Sequence, residues 1–367
     1  VEFDATVLSR YLAERSGAEV HIREIRELGG EATGQTALKQ FGYGRPFRVT
    51  YSTPDQEEDL VFHRVKRNRF GREREEDRVA AVWLDFRSFN RLPRHVPAMD
   101  MVIHVAEGEI RSIRSADEML LVTRYRPGHL YARDLVRILD EGTIGPVDIE
   151  RVEALASYLA EVHHVTYDDP LLWRRRLRDL IGHGEGIMGL TESYPEDADY
   201  TTSSDLRHIE ERANQWRWRL KSSHHRLSQV HGDFHPFNIL FETELGELGF
   251  YVLDRSRGEW GEPADDVSCL TINYLFFSLQ RSEILDGPFQ ELHDRFWTRY
   301  LNLRHDEELM RAIQPWFAWR ALVLASPVWY PDIPGDLRRK LLTFARRVLS
   351  SREYDYHHIN QYLKDSP

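Results

Sequence analysis

The chain has 367 residues, 41% hydrophobic and 30% charged, with 60 Asp and Glu against 49 Lys and Arg for a formal net charge of -11. This is the composition of an ordinary globular protein, long enough for one large domain or two lobes, and its acidic balance argues against nucleic acid as a partner, which needs a basic face to displace counterions. The single Cys, Cys269, excludes an intramolecular disulfide framework and a multi-Cys metal site. No apolar run reaches the length of a membrane span and the N-terminus carries no signal-peptide pattern, so no membrane partner and a cytoplasmic location are expected.

Asp4, followed by apolar Val7, Leu8, Leu12 and Ala13, predicts a capped amphipathic helix ending near Gly17. Residues 20–28 alternate apolar and polar as a half-buried strand does, and Gly29-Gly30 stops them. Further strands are expected from Phe47 to Tyr51 and from Leu60 to Lys66, with a long connection containing Phe41-Gly42-Tyr43-Gly44 before them. Residues 73–86 have helical spacing, with a stripe of Val79, Val82, Trp83 and Phe86. Met101 to Val105 and Met119 to Val122 complete a small, mostly antiparallel sheet carrying one helix.

From Pro127-Gly128 onward the pattern turns helical. Residues 149–164 show an apolar stripe of Val152, Leu155, Leu159 and Val162, and 205–220, 264–280, 287–302, 308–325 and 336–349 are further helix candidates. The exception is 228–254, where short β-like runs flank a polar cluster. The expected organisation is a β-rich lobe over 1–126 and a helical lobe over 127–367. The charge divides there as well: the first 126 residues hold 21 acids and 21 bases, so the helical part holds the whole excess of acid.

The chemistry concentrates in His231-Gly232-Asp233-Phe234-His235-Pro236-Phe237-Asn238, which leads into an apolar run, a turn over 242–249, and Tyr251-Val252-Leu253-Asp254. Two short strands joined by that turn bring Asn238 and Asp254 side by side. Such a set suits phosphoryl transfer: one carboxylate orients the acceptor hydroxyl, while an amide oxygen and a second carboxylate hold Mg²⁺ on a nucleotide's phosphates. A mononuclear zinc site from His231, Asp233 and His235 is the rival reading, but it lacks the i, i+4 helical register of common His-based sites.

The segment resembles the aminoglycoside phosphotransferase and choline kinase superfamily, whose members share the protein-kinase-like fold. The resemblance spans roughly residues 20–330 and is most specific in the pattern H-G-D-x-H-x-x-N followed by an Asp that closes a hairpin. It implies an α+β, two-lobed fold and an enzyme that uses ATP and Mg²⁺ to phosphorylate a hydroxyl of a small-molecule acceptor. By that resemblance Asp233 is the catalytic base, His235 approaches the transferred phosphate, Asn238 and Asp254 are the metal ligands, and His231 supports the loop. Gly261-Glu262-Pro263-Ala264-Asp265-Asp266 resembles a second family element, with Asp266 as a brace. Arg255 and Arg257, which follow Asp254 where many relatives have an aromatic residue and an acid, either bind phosphate oxygens, restrain neighbouring acids, or pair with Glu259 or Asp265.

On the nucleotide side, a kinase-like lobe needs a cation on the third strand and an acid on the following helix. Only five of the 49 basic residues are Lys, and one of them, Lys66, ends the third strand candidate. Arg64 shares its face and His63 lies on the other, so a slip in register changes the candidate. The acidic partner is Glu73, Glu76 or Asp77, with helix phase favouring Glu76 or Asp77. Gly29 and Gly30 are candidates for covering the phosphates, although they do not form the usual short glycine hairpin. Leu120 to Tyr125 resembles the strand entering the interlobe hinge, where backbone groups at Thr123 to Tyr125 would meet the adenine. The acidic lobe favours a cationic acceptor, an aminoglycoside or an amino-alcohol; a sugar kinase, a nucleotide-binding protein without turnover and a protein kinase are the alternatives. The last is disfavoured because no Ala-Pro-Glu segment follows Asp254.

Overall fold

A computed structural model describes residues 4–28, 44, 46–66, 75–105, 109–111, 118–242, 246, 248–255 and 257–364. The chain packs as two compact units. Of the described residues, those up to 127 together with 254 and 255 form one, and those over 128–253 and 257–364 form the other.

In the first unit, helix α1 (Ala5–Ser16) starts where Asp4 Oδ1 accepts the Thr6 amide at 2.9 Å and stops at Gly17, whose φ of 67° suits a residue without Cβ. Strands β1 (His21–Glu27), β2 (Phe47–Ser52) and β3 (Glu57–Arg64) follow, then helix α2 (Glu75–Phe89) and strands β4 (Ala98–Val105), β5 (Glu109–Arg111) and β6 (Glu118–Arg124). They form one antiparallel sheet in the order β1-β2-β3-β6-β4-β5. Because side chains alternate across a strand, Leu60, Phe62, Val102 and Val122 join Leu8, Tyr11 and Leu12 of α1 in one apolar cluster. Ile103 and Leu121 join Val82 and Phe89 of α2 in another, with Val65, Val79 and Phe86 packed against it. Trp83, expected on the buried stripe, is 43% exposed. The helix runs on to Phe89, so its sheet-facing side follows 79, 82, 86 and 89 and leaves position 83 outside.

The second unit is mostly helical. Strand β7 (His129–Leu130) leads into α3 (Tyr131–Glu141), α4 (Pro146–His163), α5 (Pro170–Gly182), α6 (Ile187–Thr191) and α7 (Ser203–Leu220). Short strands β8 (Ser228–Gln229), β9 (Ile239–Phe241), β10 (Phe250–Val252) and β11 (Trp260–Gly261) precede α8 (Pro263–Leu279), α9 (Gly287–Arg304), α10 (Leu309–Ala312), α11 (Gln314–Ala325) and α12 (Gly335–Ser350). The expected stripe on α4 is buried along its whole length. Every residue of α8 is buried, so this helix is the axis of the unit, packed by α9 and α11. The single helix expected over 308–325 is two, because Pro315 lacks the N–H that would continue the first one. Helix α5 was not anticipated: its apolar spacing at Trp173, Leu177, Leu180 and Ile181 is diluted by Arg174, Arg175, Arg176 and Arg178. The whole has the two-lobed α+β architecture of the protein-kinase-like fold, a β-rich N-terminal part and a helix-rich C-terminal part.

Candidate functional site

The polar loop from His231 to Asn238 runs between two small sheets. On one side β8 pairs with β11 and Val230 N donates to Glu259 O at 2.9 Å. On the other, β9 pairs antiparallel with both β10 and β7. Two strands thus pin each end of an irregular segment whose backbone groups need other partners when buried.

Asp266, in the first turn of α8, supplies two of them. Its Oδ2 accepts the His231 amide at 2.8 Å and its Oδ1 the Gly232 amide at 2.7 Å. His163 of α4 reaches the same carboxylate through Nε2 at 3.1 Å, and its Nδ1 meets the Tyr300 hydroxyl at 2.7 Å. Burial pushes the Asp266 carboxyl upward, but the bond and charge of His163, with His231 and its amide, outweigh burial and hold it below the usual carboxylate range. The brace expected of Asp266 is therefore what the structure contains. His231 Nδ1 accepts the Asp233 amide at 3.2 Å, which ties the loop to itself. Gly232 turns with φ 86°, and a Cβ there would come within 3.2 Å of Arg257 Cβ.

Asp233 is buried, and guanidinium groups hold its Oδ1. Arg320 of α11 donates from Nη1 at 2.8 Å, and Arg257 Nη1 lies 3.0 Å away. His235 Nε2 stands 3.7 Å from Oδ2. Arg257 also donates to Gly232 O at 3.1 Å and pairs with Glu185 at 3.3 Å, while its guanidinium and that of Arg320 lie over the Trp319 ring at 4.9 and 4.0 Å. Arg176 of α5 donates to Arg257 O at 2.6 Å. Asp265 takes Arg320 Nη2 at 2.5 Å; burial pushes its carboxyl up against the pull of Arg320. Three guanidinium groups and three carboxylates thus share one largely buried corner. Where Arg257 is expected to bind phosphate oxygens, restrain neighbouring acids or pair with Glu259 or Asp265, its guanidinium pairs with Asp233 and Glu185, and neither Glu185 nor Arg320 stands out in the sequence.

Asn238 ends the loop in a short 3₁₀ turn, Pro236–Asn238. Its Nδ2 donates to Asp233 O at 3.1 Å, which sets Oδ1 as the acceptor end of the amide. Leu253 N donates to Asn238 O at 2.9 Å, so the hairpin returns the chain to Asn238 immediately before Asp254. Asp254 has φ 55°, a left-handed conformation that Asp tolerates better than most residues, and it belongs to the other compact unit. Arg255, fully buried, donates from Nη1 to Ser88 O near the end of α2 at 2.9 Å. Among the described residues no group of three His, Cys, Asp or Glu side chains is placed to hold a metal ion.

In the first unit, strand β3 ends at Arg64 and Lys66 lies exposed two residues beyond it. The face turned toward α2 carries Val61, His63 and Val65, and His63 Nε2 meets Thr123 Oγ1 at 2.9 Å. Loss of water pushes His63 down to about 4. Thr123 is buried within the sheet, paired with Val61 and Ala98, and Arg124 N donates to Pro97 O at 3.1 Å. Tyr125 is the first residue past the strand, its ring under the Arg48 guanidinium at 4.3 Å. Glu76 and Asp77 lie in the first turn of α2, outside the described side chains. Gly29, Gly30 and Glu73 lie outside the described residues altogether. Trp173, Trp216, Trp316, Trp319 and Trp329 are buried, and Trp218 is 56% exposed. No described helix is long and apolar enough to cross a membrane.

The phosphotransferase enzyme family model matches residues 117–305. No curated protein sequence matches the chain. Among solved structures, a thermostable mutant of aminoglycoside phosphotransferase APH(4)-Ia in ternary complex with ADP and hygromycin B is 12% identical. The match covers 97% of this chain and 98% of that one, with a TM-score of 0.50. ADP-bound aminoglycoside phosphotransferase APH(2'')-Ib is 16% identical over 94% and 99% of the chains at TM-score 0.48. A putative fructosamine-3-kinase from Haemophilus somnus is 11% identical over 92% and 96% at 0.49. At 12% identity the likeness to the APH(4)-Ia mutant is one of fold alone.

Proposed function

Because the chain belongs to the phosphotransferase enzyme family, we propose that it transfers the γ-phosphoryl group of ATP to a hydroxyl of a small-molecule acceptor, with Asp233 as the catalytic base. The observation that carries this reading is the treatment of Asp233. Its loop is pinned at both ends by strands, braced through two amides by Asp266, and its carboxylate is oriented by fixed donors rather than left to rotate.

In this reading Asn238 and Asp254 hold Mg²⁺. Both offer hard oxygen donors of the kind Mg²⁺ prefers, and because Asn238 Nδ2 is bonded to Asp233 O, Oδ1 is the atom that would take the ion. Bound Mg·ATP supplies the phosphoryl group and the charge that offsets its oxygens. The residues of the chain do the rest. Asp233 accepts a hydrogen bond from the acceptor hydroxyl and takes its proton as the new P–O bond forms and the bond from the γ-phosphorus to the bridging oxygen breaks, ADP leaving with that oxygen; His235, 3.7 Å from that carboxylate, faces the transferred group. Phosphoryl transfer passes through a loose transition state, so aiming the hydroxyl matters more than a strong base. Lys66, the acid at Asp77, Gly29 and Gly30, and the backbone at Thr123 and Tyr125 form the nucleotide side of the same proposal.

The acceptor is a hydroxyl compound bearing a cationic group, an aminoglycoside among them. The acid excess of residues 127–367 steers cations from a distance, while the matched charges around Asp233 leave the reacting corner open to a neutral hydroxyl. The test is ADP release from Mg·ATP across aminoglycosides, amino-alcohols, sugars and macrolides, with the phosphorylated product identified. Asp233→Ala should lower kcat about 10³-fold or more while Mg·ATP binding stays within about twofold of wild type. Turnover at wild-type rate by that variant would remove Asp233 from its role.

A further inference from the structure

We propose that Arg320 is a positioning residue for phosphoryl transfer, setting from helix α11 the direction in which the Asp233 carboxylate meets the acceptor. The inference rests on the reading of Asp233 as the base. Arg320 lies outside residues 117–305, the span that the family model matches, and it enters the site from a helix 87 positions along the chain.

Three bonds made by two nitrogens define its geometry. Nη1 donates to Asp233 Oδ1 at 2.8 Å; Nη2 donates to Gly232 O at 3.0 Å and to Asp265 Oδ1 at 2.5 Å. The guanidinium is planar and its donors diverge at fixed angles, so holding Gly232 O and Asp265 fixes where the bond to Asp233 points. Its flat face lies 4.0 Å from the centre of the Trp319 ring, and the residue is only 4% exposed. Trp319 is itself fixed, donating Nε1 to Glu185 O at 2.7 Å. Each contact removes a way for the side chain to move.

The consequence falls on the carboxylate. A carboxylate that turns freely exchanges its two oxygens; one whose Oδ1 is held cannot, and the lone pairs facing the acceptor keep their direction. A guanidinium also draws electron density from the base and weakens it. That cost is tolerable only where proton transfer is late and orientation decides the rate, as in a loose phosphoryl-transfer transition state. A buried Arg that served packing alone would need no bond to the one carboxylate expected to meet substrate. Arg257 shares Oδ1 at 3.0 Å, but it also serves Glu185 and sits on the segment after Asp254, so Arg320 is the member anchored in the helical core.

The experiment measures kcat, KM for Mg·ATP, MgADP affinity and melting temperature for Arg320→Gln, Arg320→Lys and Asp233→Asn. Turnover is read as ADP release with water and with the acceptor panel described above. Arg320→Gln should lose about 10²-fold in kcat with KM for Mg·ATP and MgADP affinity within about twofold. Arg320→Lys, which keeps the charge but not the fork, should retain an intermediate kcat and covers the case in which the Gln variant does not fold. The double variant Arg320→Gln, Asp233→Asn should be no slower than Asp233→Asn alone, because a positioning residue has nothing left to position. Wild-type kcat in a folded Arg320 variant, or an unchanged kcat with only a lowered melting temperature, overturns the inference. Full activity in Asp233→Asn, or no turnover by wild type with water or any acceptor, overturns the reading of the base and this inference with it. A dead Asp233→Asn beside a fully active Arg320→Gln overturns this inference alone.

Discussion

The six-stranded sheet and the loop around Asp233 are held in opposite ways. In the sheet, alternation does the work: Leu60 and Phe62 face α1, while Val61 and His63 face α2, and each face closes on its own apolar cluster. In the loop almost nothing repeats. His231 and Gly232 are held by Asp266, Asp233 by Arg320 and Arg257, and Asp266 in turn by His163. A sheet distributes its stability over many small contacts, whereas a buried network of charges concentrates it in a few bonds that are costly to leave half-made. The comparison implies that single substitutions should hurt the loop more than the sheet.

Asp266→Ala is the sharpest way to break that contrast. It leaves the His231 and Gly232 amides and His163 buried without the carboxylate, and should cost about 3–5 kcal/mol in urea unfolding. A cost under about 1 kcal/mol would mean that the loop is held by its strands instead. Acid should act next, and through the sheet. Burial lowers His63 from 6.5 to about 4, so the unfolded chain binds a proton there that the folded chain refuses. The stability is fully present above pH 6.5 and is lost as pH falls from 6.5 toward 4, by roughly 1–3 kcal/mol. Hydrogen exchange of amides in β3 and β6 along that range reports it, and His63→Gln should flatten the loss. The smallest effect concerns the nucleotide. Lys66→Ala should raise KM for Mg·ATP about tenfold, near 1.4 kcal/mol, with no change in melting temperature. If KM is unmoved there but rises in His63→Ala, the phosphate contact belongs to the face of β3 turned toward α2.

Much of the site could be read directly from the residues. The pattern from His231 to Asn238 and the hairpin to Leu253 is contiguous, and short-range turns and strand pairs are decided by neighbours, so spacing was enough to bring Asn238 up to the residue before Asp254. Asp266 was also legible, as the second acid in the first turn of a helix whose N-terminal residues had a recognisable order. Less local features were not. The end of β3 was placed two residues too far because Val65 continues the apolar alternation, although pairing with β6 stops at Arg64. Trp83 satisfied helical spacing from Val79 and still faces outward, because the buried side of α2 is set by the sheet beneath it.

The amino-acid order alone determined most of the elements and the loop and hairpin that carry Asp233 and Asn238, since capping, alternation and tight turns act over a few residues. Tertiary structure decided what surrounds Asp233. Arg176, Glu185 and Arg320 sit on or beside three different helices and carry no mark that separates them from other charged residues on an Arg-rich chain. They are selected by burial: once α8 forms the axis of its unit, the charges that meet at its N-terminal end must pair with one another, and those pairs give the Asp233 carboxylate its direction.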